Sequence, residues 1–206
     1  MALTNYTELK ASIADFLNRD DLTSVIPDFI TLAETVMNRE VRHWRMEKRA
    51  TAVLDSQYTA LPTDFLEPIR MSLNTANTNT LEMVNAFQIS NLRAQNLNTS
   101  GRPVNFAILD GSIEAFPSPD ASYTLEMLYY ETIDTLNAQT TTNWVLTNFP
   151  DAYLYGSLVH SAPYLQEDTR ANTWAALYQK AINDINLESE RSKTSGSGRR
   201  MKIRSY

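Results

Sequence analysis

The sequence predicts an α+β fold that is mainly helical, with long N- and C-terminal helices forming a bundle, a β-rich insertion between them and an extended C-terminal arm. Three observations carry this reading. Apolar residues recur at helical spacing near both ends. The middle of the chain shows alternating, branched and aromatic runs separated by turn residues. The last stretch, residues 191–206, is basic and poor in apolar residues. The expected organisation is therefore a body at 1–190, with the bundle at 5–48 and 148–190 and the insertion at 50–147, followed by a basic arm at 191–206.

The first helix is expected from Leu9, Ile13, Phe16 and Leu17, with Asn5 and Glu8 placed as a cap pair. After the polar break Asn18-Arg19-Asp20-Asp21, a longer helix should start near Ser24, with Pro27 in its first turn. Its stripe is Ile26, Phe29, Ile30, Ala33, Met37, Val41 and Trp44. Near the other end, Pro150 and Asp151 open a helix with Leu154, Leu158, Ala162 and Leu165 on one face, and Pro163 should kink or stop it. Asp168 is placed to cap a last helix carrying Trp174, Ala175, Tyr178, Ile182 and Ile185. Past Glu190 the helical signal ends. Single-striped helices of this length must pack on one another.

In the middle, residues 51–54 and 57–61 flank Asp55-Ser56 and suggest a hairpin. Residues 106–109 and 112–116 suggest a stronger one, because Asp110-Gly111 suits the left-handed positions of a tight turn. Residues 123–132 read as a further strand and 86–95 as a short helix. The Asn/Thr-rich stretches at 74–80 and 137–143 read as loops.

Composition narrows the function classes. The chain of 206 residues has no cysteine, which excludes disulfides and thiolate metal sites. No run approaches the roughly 18 apolar residues that span a bilayer, so no membrane partner is expected. Glu8 and Lys10 interrupt the N-terminal apolar pattern, so no signal peptide is read there and synthesis in a cytoplasm is expected. The net charge of −6 hides a split. Arg191, Lys193, Arg199, Arg200, Lys202 and Arg204 stand in the arm without an acidic residue, while residues 1–190 carry a net of −12. An acidic body repels nucleic acid at range and the arm attracts it. Met201, Ile203 and Tyr206 are interleaved with those charges, as if to fill pockets on a partner. Sixteen extended residues reach roughly 50 Å. Ordering them costs on the order of 1–2 kcal/mol per residue, so the arm is expected to order only against a partner.

Chemistry-bearing patterns are sparse. Five glycines and no phosphate loop argue against a nucleotide site, and no cofactor is expected. His43 and His160 lie far apart in expected helices, without a ligand pattern around either. Ser157 follows Gly156 inside a helix and lacks a nucleophile elbow. The one enzymatic reading pairs carboxylates on strands. Glu114, Glu126 and Glu131 could supply the two acids of a cell-wall glycosidase. The competing reading makes them solvent-facing members of alternating strands. A nucleic-acid-binding factor working through the arm is a third reading. Tyr129, Tyr130, Tyr153, Tyr155 and Tyr164 exceed what one small core needs, which points to protein contacts.

Several strings together carry a resemblance. LPTDFLEPIRM at 61–71, GRPVNFAI at 101–108, LEMLYYETI at 125–133 and TNWVLTNFPDAYLYGSLVHSAPYLQED at 142–168 resemble bacteriophage head-to-tail adaptor (connector) proteins, as does IPDFI at 26–30 followed by Glu34, Asn38 and Arg39. The resemblance covers about residues 5–190. It implies a non-enzymatic structural protein of the virion. Such adaptors form a homo-oligomeric ring, typically of about twelve copies, beneath the portal protein. They bind tail tube or nozzle proteins below; the acidic body of this chain, as a channel wall, is expected to let DNA pass without specific binding. The resemblance also implies that a C-terminal extension docks on the portal, here through Arg191, Lys193, Arg199, Arg200, Met201, Lys202, Ile203, Arg204 and Tyr206.

Overall fold

A computed structural model describes residues 3–75, 79–95, 100–165 and 169–195. The chain divides into two compact units, Met1–Arg45 with Ile133–Tyr206, and Met46–Thr132.

The first unit is helical. Helix α1 (Tyr6–Leu17) starts where Asn5 Oδ1 accepts the Glu8 N–H at 3.0 Å. Glu8 does not complete the reciprocal box, because its carboxylate takes the Thr4 N–H and hydroxyl instead. The helix stops at Asn18, whose φ of 54° is left-handed, a conformation asparagine tolerates better than most residues. Leu9, Ile13 and Leu17 face the core, whereas Phe16 is 45 % exposed. Helix α2 (Ile26–Glu40) carries Pro27 in its first turn and buries Ile26, Phe29, Ile30, Ala33, Glu34 and Met37. It ends earlier than the stripe through Trp44 suggests. Val41 turns extended, and the backbone N–H groups of Arg42 and Trp44 bond to side chains of another helix, so Trp44 falls in a short 3-10 turn at Trp44–Met46.

The second half of this unit contains α4 (Trp144–Asn148), α5 (Pro150–Leu165) and α6 (Ala171–Thr194), while α3 (Ala86–Gln95) lies in the other unit. Helix α5 packs against α1, α2, α4 and α6. Gly156 permits this density, since a Cβ there would sit 3.0 Å from the Tyr178 ring and 3.1 Å from Ala33 Cβ. Pro163 lies in the last turn of α5, which runs only two residues further. The short α4 lies at the edge of the stretch expected to be loop. Asn143 caps it by accepting the Leu146 N–H at 2.9 Å. Helix α6 buries Trp174, Tyr178, Ala181, Ile182, Ile185 and Ser189, while Ala175 is exposed. It extends to Thr194, past the end expected at Glu190. The cap expected from Asp168 lies outside the described residues.

Among its described residues, the second unit holds two four-stranded sheets and one helix. The strands are β1 (Glu47–Leu54), β2 (Tyr58–Ala60), β3 (Phe65–Leu73), β4 (Asn79–Thr80), β5 (Glu82–Met83), β6 (Asn105–Leu109), β7 (Ser112–Phe116) and β8 (Tyr123–Glu131). One sheet has the order β1-β8-β3-β4 and the other β2-β7-β6-β5. Their inner faces meet in one core. Leu54, Met71, Leu73, Leu125, Met127 and Tyr129 come from the first sheet and Phe106, Ile113 and Ala115 from the second. Helix α3 (Ala86–Gln95) covers the other face of the second sheet with Ile89 against Ala107 and Phe116.

The hairpin at Asp110-Gly111 is present, with both turn residues left-handed at φ 48° and 69°. The one expected at Asp55-Ser56 is not. Strand β1 pairs with β8 over an unbroken register from Glu47↔Tyr130 to Leu54↔Tyr123, while β2 pairs with β7 in the other sheet. Asp55-Ser56 supplies no left-handed residue for a two-residue turn, so the chain crosses between sheets there. The Asn/Thr stretch at 74–80 ends in strand rather than loop, since β4 pairs with β3.

Candidate functional site

The basic arm foreseen at 191–206 is divided by the structure. Arg191 and Lys193 stand on the last turns of α6, both exposed, and the helix closes where the Ser195 N–H bonds Arg191 O at 2.7 Å. These two residues are therefore helical rather than part of an extended arm. Arg199, Arg200, Met201, Lys202, Ile203, Arg204 and Tyr206 lie outside the described residues.

The end of α6 is fixed by an arrangement that sequence reading missed. Asn186 Oδ1 accepts the Arg42 N–H at 2.9 Å and its Nδ2 donates to Glu40 O at 3.0 Å. The Trp44 N–H donates to Ser189 Oγ at 3.0 Å. An extended segment is thus read at alternate residues by polar side chains of one helix face. His43, expected in a helix, sits in this segment with no exposed surface. Its ring stacks on Trp144 at 4.9 Å, Nδ1 accepts the Arg45 N–H at 3.2 Å, and Nε2 lies 4.0 Å from Glu188 Oε1. His160 is half-buried in α5. Burial first, and Arg39 second, hold its pKa below the usual histidine value.

A second missed feature is a buried carboxylate. Glu34 is 3 % exposed. Its Oε1 accepts the Leu136 N–H at 2.8 Å and the Tyr153 hydroxyl at 3.0 Å, and its Oε2 has no hydrogen-bond partner. The Tyr153 oxygen in turn accepts from Asn143 Nδ2 at 2.6 Å. Desolvation raises the Glu34 pKa above the ordinary carboxylate value, and the two hydrogen bonds only partly oppose this. Tyr153 is pushed up as well, by burial and then by the Glu34 charge. Position 34 falls within the stripe of Ile30, Ala33 and Met37, so an acid on a buried face was visible as an anomaly.

The strand carboxylates are not brought together. Glu114 belongs to the second sheet and Glu126 to the first. Glu114 is 6 % exposed rather than solvent-facing. It pairs with Arg93 at 2.9 Å and accepts from Gln57 at 2.9 Å, and Arg93 also reaches Ala115 O and Ser118 Oγ. This cluster ties α3 to β7. Glu126 lies between Arg49 at 3.2 Å and Arg70 at 3.3 Å. Glu131 pairs with Lys48 at 2.8 Å. Each acid is engaged by a cation on a neighbouring element, which ties those elements together. Ser157 is fully buried in α5, closed off from any substrate.

The geometry also explains one of the strings that carry the resemblance. In LPTDF, Asp64 accepts from Lys48 at 2.6 Å and from the Tyr129 hydroxyl at 2.9 Å, and its carbonyl takes the Thr132 N–H. Lys48 holds the Asp64 carboxyl below its usual range. Burial and that same carboxylate push Tyr129 up to about 12. Phe65 stacks near Tyr129 at 5.4 Å. The string is a fastener of three adjacent strands.

Residues 4–201 match the family model described as SU10 adaptor protein. No curated protein matches the chain. No helix among the described residues is long and apolar enough to cross a membrane.

Proposed function

Because the chain belongs to the SU10 adaptor protein family, a family of phage structural adaptors, we propose that it forms a ring between portal and tail and docks on the portal through its C-terminal segment. The observation that carries this reading is the extent of the match, which takes in both units and most of the terminal segment. The helical unit supplies the ring wall, and the β unit, with its two sheets, contacts neighbouring copies or tail tube and nozzle proteins. A ring of about twelve acidic bodies lines a channel along which DNA slides without specific binding. Cationic segments repeated around the ring give avidity that one copy lacks.

Electron microscopy of the purified chain mixed with its portal tests this. A ring stacked on the portal is expected, and its absence at micromolar concentrations would overturn the assignment. Truncation after Ser195 leaves α6 whole and should abolish stacking. Stacking that survives truncation would remove the docking role from the segment.

A further inference from the structure

The β unit ends on one side in a long strand edge. Strand β1 is terminal in the order β1-β8-β3-β4, and among the described residues no strand pairs with its other side. The other terminal strands, β4, β2 and β5, are only two or three residues long. Strand β1 runs for eight, without proline, glycine or a register shift. Folded proteins usually blunt an edge of that length with a proline, a bulge or charge. The cations at the start of β1 are already engaged, Lys48 by Asp64 and Glu131 and Arg49 by Glu126.

Strand β8 fixes which backbone groups of β1 point outward. The Asn74 N–H donates to Thr124 O and the Thr132 N–H to Asp64 O, so even-numbered residues of β8 direct their backbone to the β3 side. Leu125, Met127 and Tyr129 therefore serve β1, through Ala52, Ala50 and Lys48. The N–H and C=O groups of Arg49, Thr51 and Val53 are left aimed at the open edge. All three residues are exposed, Val53 at 59 %. Between them Ala50 and Ala52 put little bulk in the way of an approaching strand.

We propose that this edge pairs with the same edge of a second copy, antiparallel about a two-fold axis at Ala50. Charge makes the edge its own complement and sets the register. With the axis at Ala50, Arg49 faces Thr51, Lys48 faces Ala52 and Glu47 faces Val53 of the second copy. No two like charges then stand opposite one another. With the axis one residue on, at Thr51, Glu47 would face Asp55 of the second copy. Arg49 and Thr51 are both directed at the edge, so each of their two pairings exchanges two backbone hydrogen bonds, about four in all. The contact closes at two copies, because both contribute the same patch. It is therefore distinct from the neighbour contacts of a ring, and it does not rest on the portal reading.

Sedimentation of the full-length protein from micromolar to millimolar concentration should show its mass rise from 23.4 kDa to twice that and no further. Over the same range, amide exchange should slow at Arg49, Thr51 and Val53. It should stay unchanged at Ala50 and Ala52, which are bonded to β8. Thr51→Lys sets a cation opposite Arg49 of the second copy at two symmetric positions, and should weaken dimerisation about two- to thirtyfold. Inside its own chain the new lysine faces Glu126, so a lost dimer cannot be laid to lost folding. Thr51→Pro removes an edge-directed N–H that β8 does not use, and should abolish the dimer. If that variant fails to fold, the lysine variant and the exchange pattern still decide. A chain that stays monomeric, a mass that grows past two copies, or a dimer indifferent to Thr51→Lys overturns the proposal.

Discussion

Replacing Glu34 by Gln should make the protein more stable as pH rises, and by an amount that depends on pH in one direction only. Gln keeps the acceptor that receives the Leu136 N–H and the Tyr153 hydroxyl. It also places a neutral amide where the Oε2 oxygen has no hydrogen-bond partner. Below the ordinary carboxylate value of 4.5, Glu34 is protonated in both folded and unfolded chains. The variant and the parent should then differ little. Above that value the unfolded chain releases the proton while the folded one retains it, because the folded pKa is raised. Parental stability therefore falls as pH rises from 4.5 through the folded pKa, and levels off above it.

The slope contributed by one proton cannot exceed about 1.4 kcal/mol per pH unit. Urea unfolding of both proteins between pH 4 and 8, followed by circular dichroism, gives the difference curve. Carboxylates with lowered values, Glu8, Asp21 and Asp64, act with the opposite sign but equally in both proteins, so they cancel. A gap that is flat across this range, or that favours the parent at high pH, would refute the argument. Either result would mean that the two hydrogen bonds match or outweigh desolvation.

Three further tests probe the packing described above. Arg93→Met should cost about 3 kcal/mol, at the low end for a broken buried pair because the arginine is partly exposed; replacing Glu114 by Leu in the same protein should recover most of it in urea unfolding. Gly156→Ala should cost about 1–3 kcal/mol, since the new methyl would press on the Tyr178 ring and Ala33; a rise in melting temperature would contradict the close approach. Asn186→Ala should cost about 1–3 kcal/mol and speed hydrogen exchange at the Arg42 amide, leaving exchange in the strands unchanged.

Most of what was legible in the sequence depended on local rules. Asn5, Asn18 and Pro27 set helix ends through chemistry within a few residues, and Asp110-Gly111 made its turn for the same reason. What escaped depended on distant partners. Helix α2 stops at Glu40 because α6, over 140 residues on, offers Asn186 and Ser189 to the backbone. Residues 51–54 avoid the local hairpin because β8 provides eight register pairs, more than a short turn closure could. Glu114 fits an alternating strand pattern with polar residues outward, yet Arg93 on α3 converts its position into a buried one. Periodicity reports which face of an element is apolar, and it is silent on which element arrives to cover the other.

The boundary of the basic arm changes what its charges can be asked to do. Arg191 and Lys193 stand at the C-terminal end of α6, where the helix dipole favours cations. They therefore have a local role that needs no partner, and the proposed docking rests on the four cations at 199–204. Neutralising Arg191 and Lys193 with Gln should lower the stability of α6 by about 0.3–1 kcal/mol each at low salt and leave portal stacking intact. Neutralising Arg199, Arg200, Lys202 and Arg204 should leave stability unchanged and abolish stacking. Paired measurements of unfolding and of stacking by electron microscopy separate the two sets. If the first pair abolishes stacking with no loss of stability, the docking element lies on the helix and the segment beyond Ser195 is only its extension.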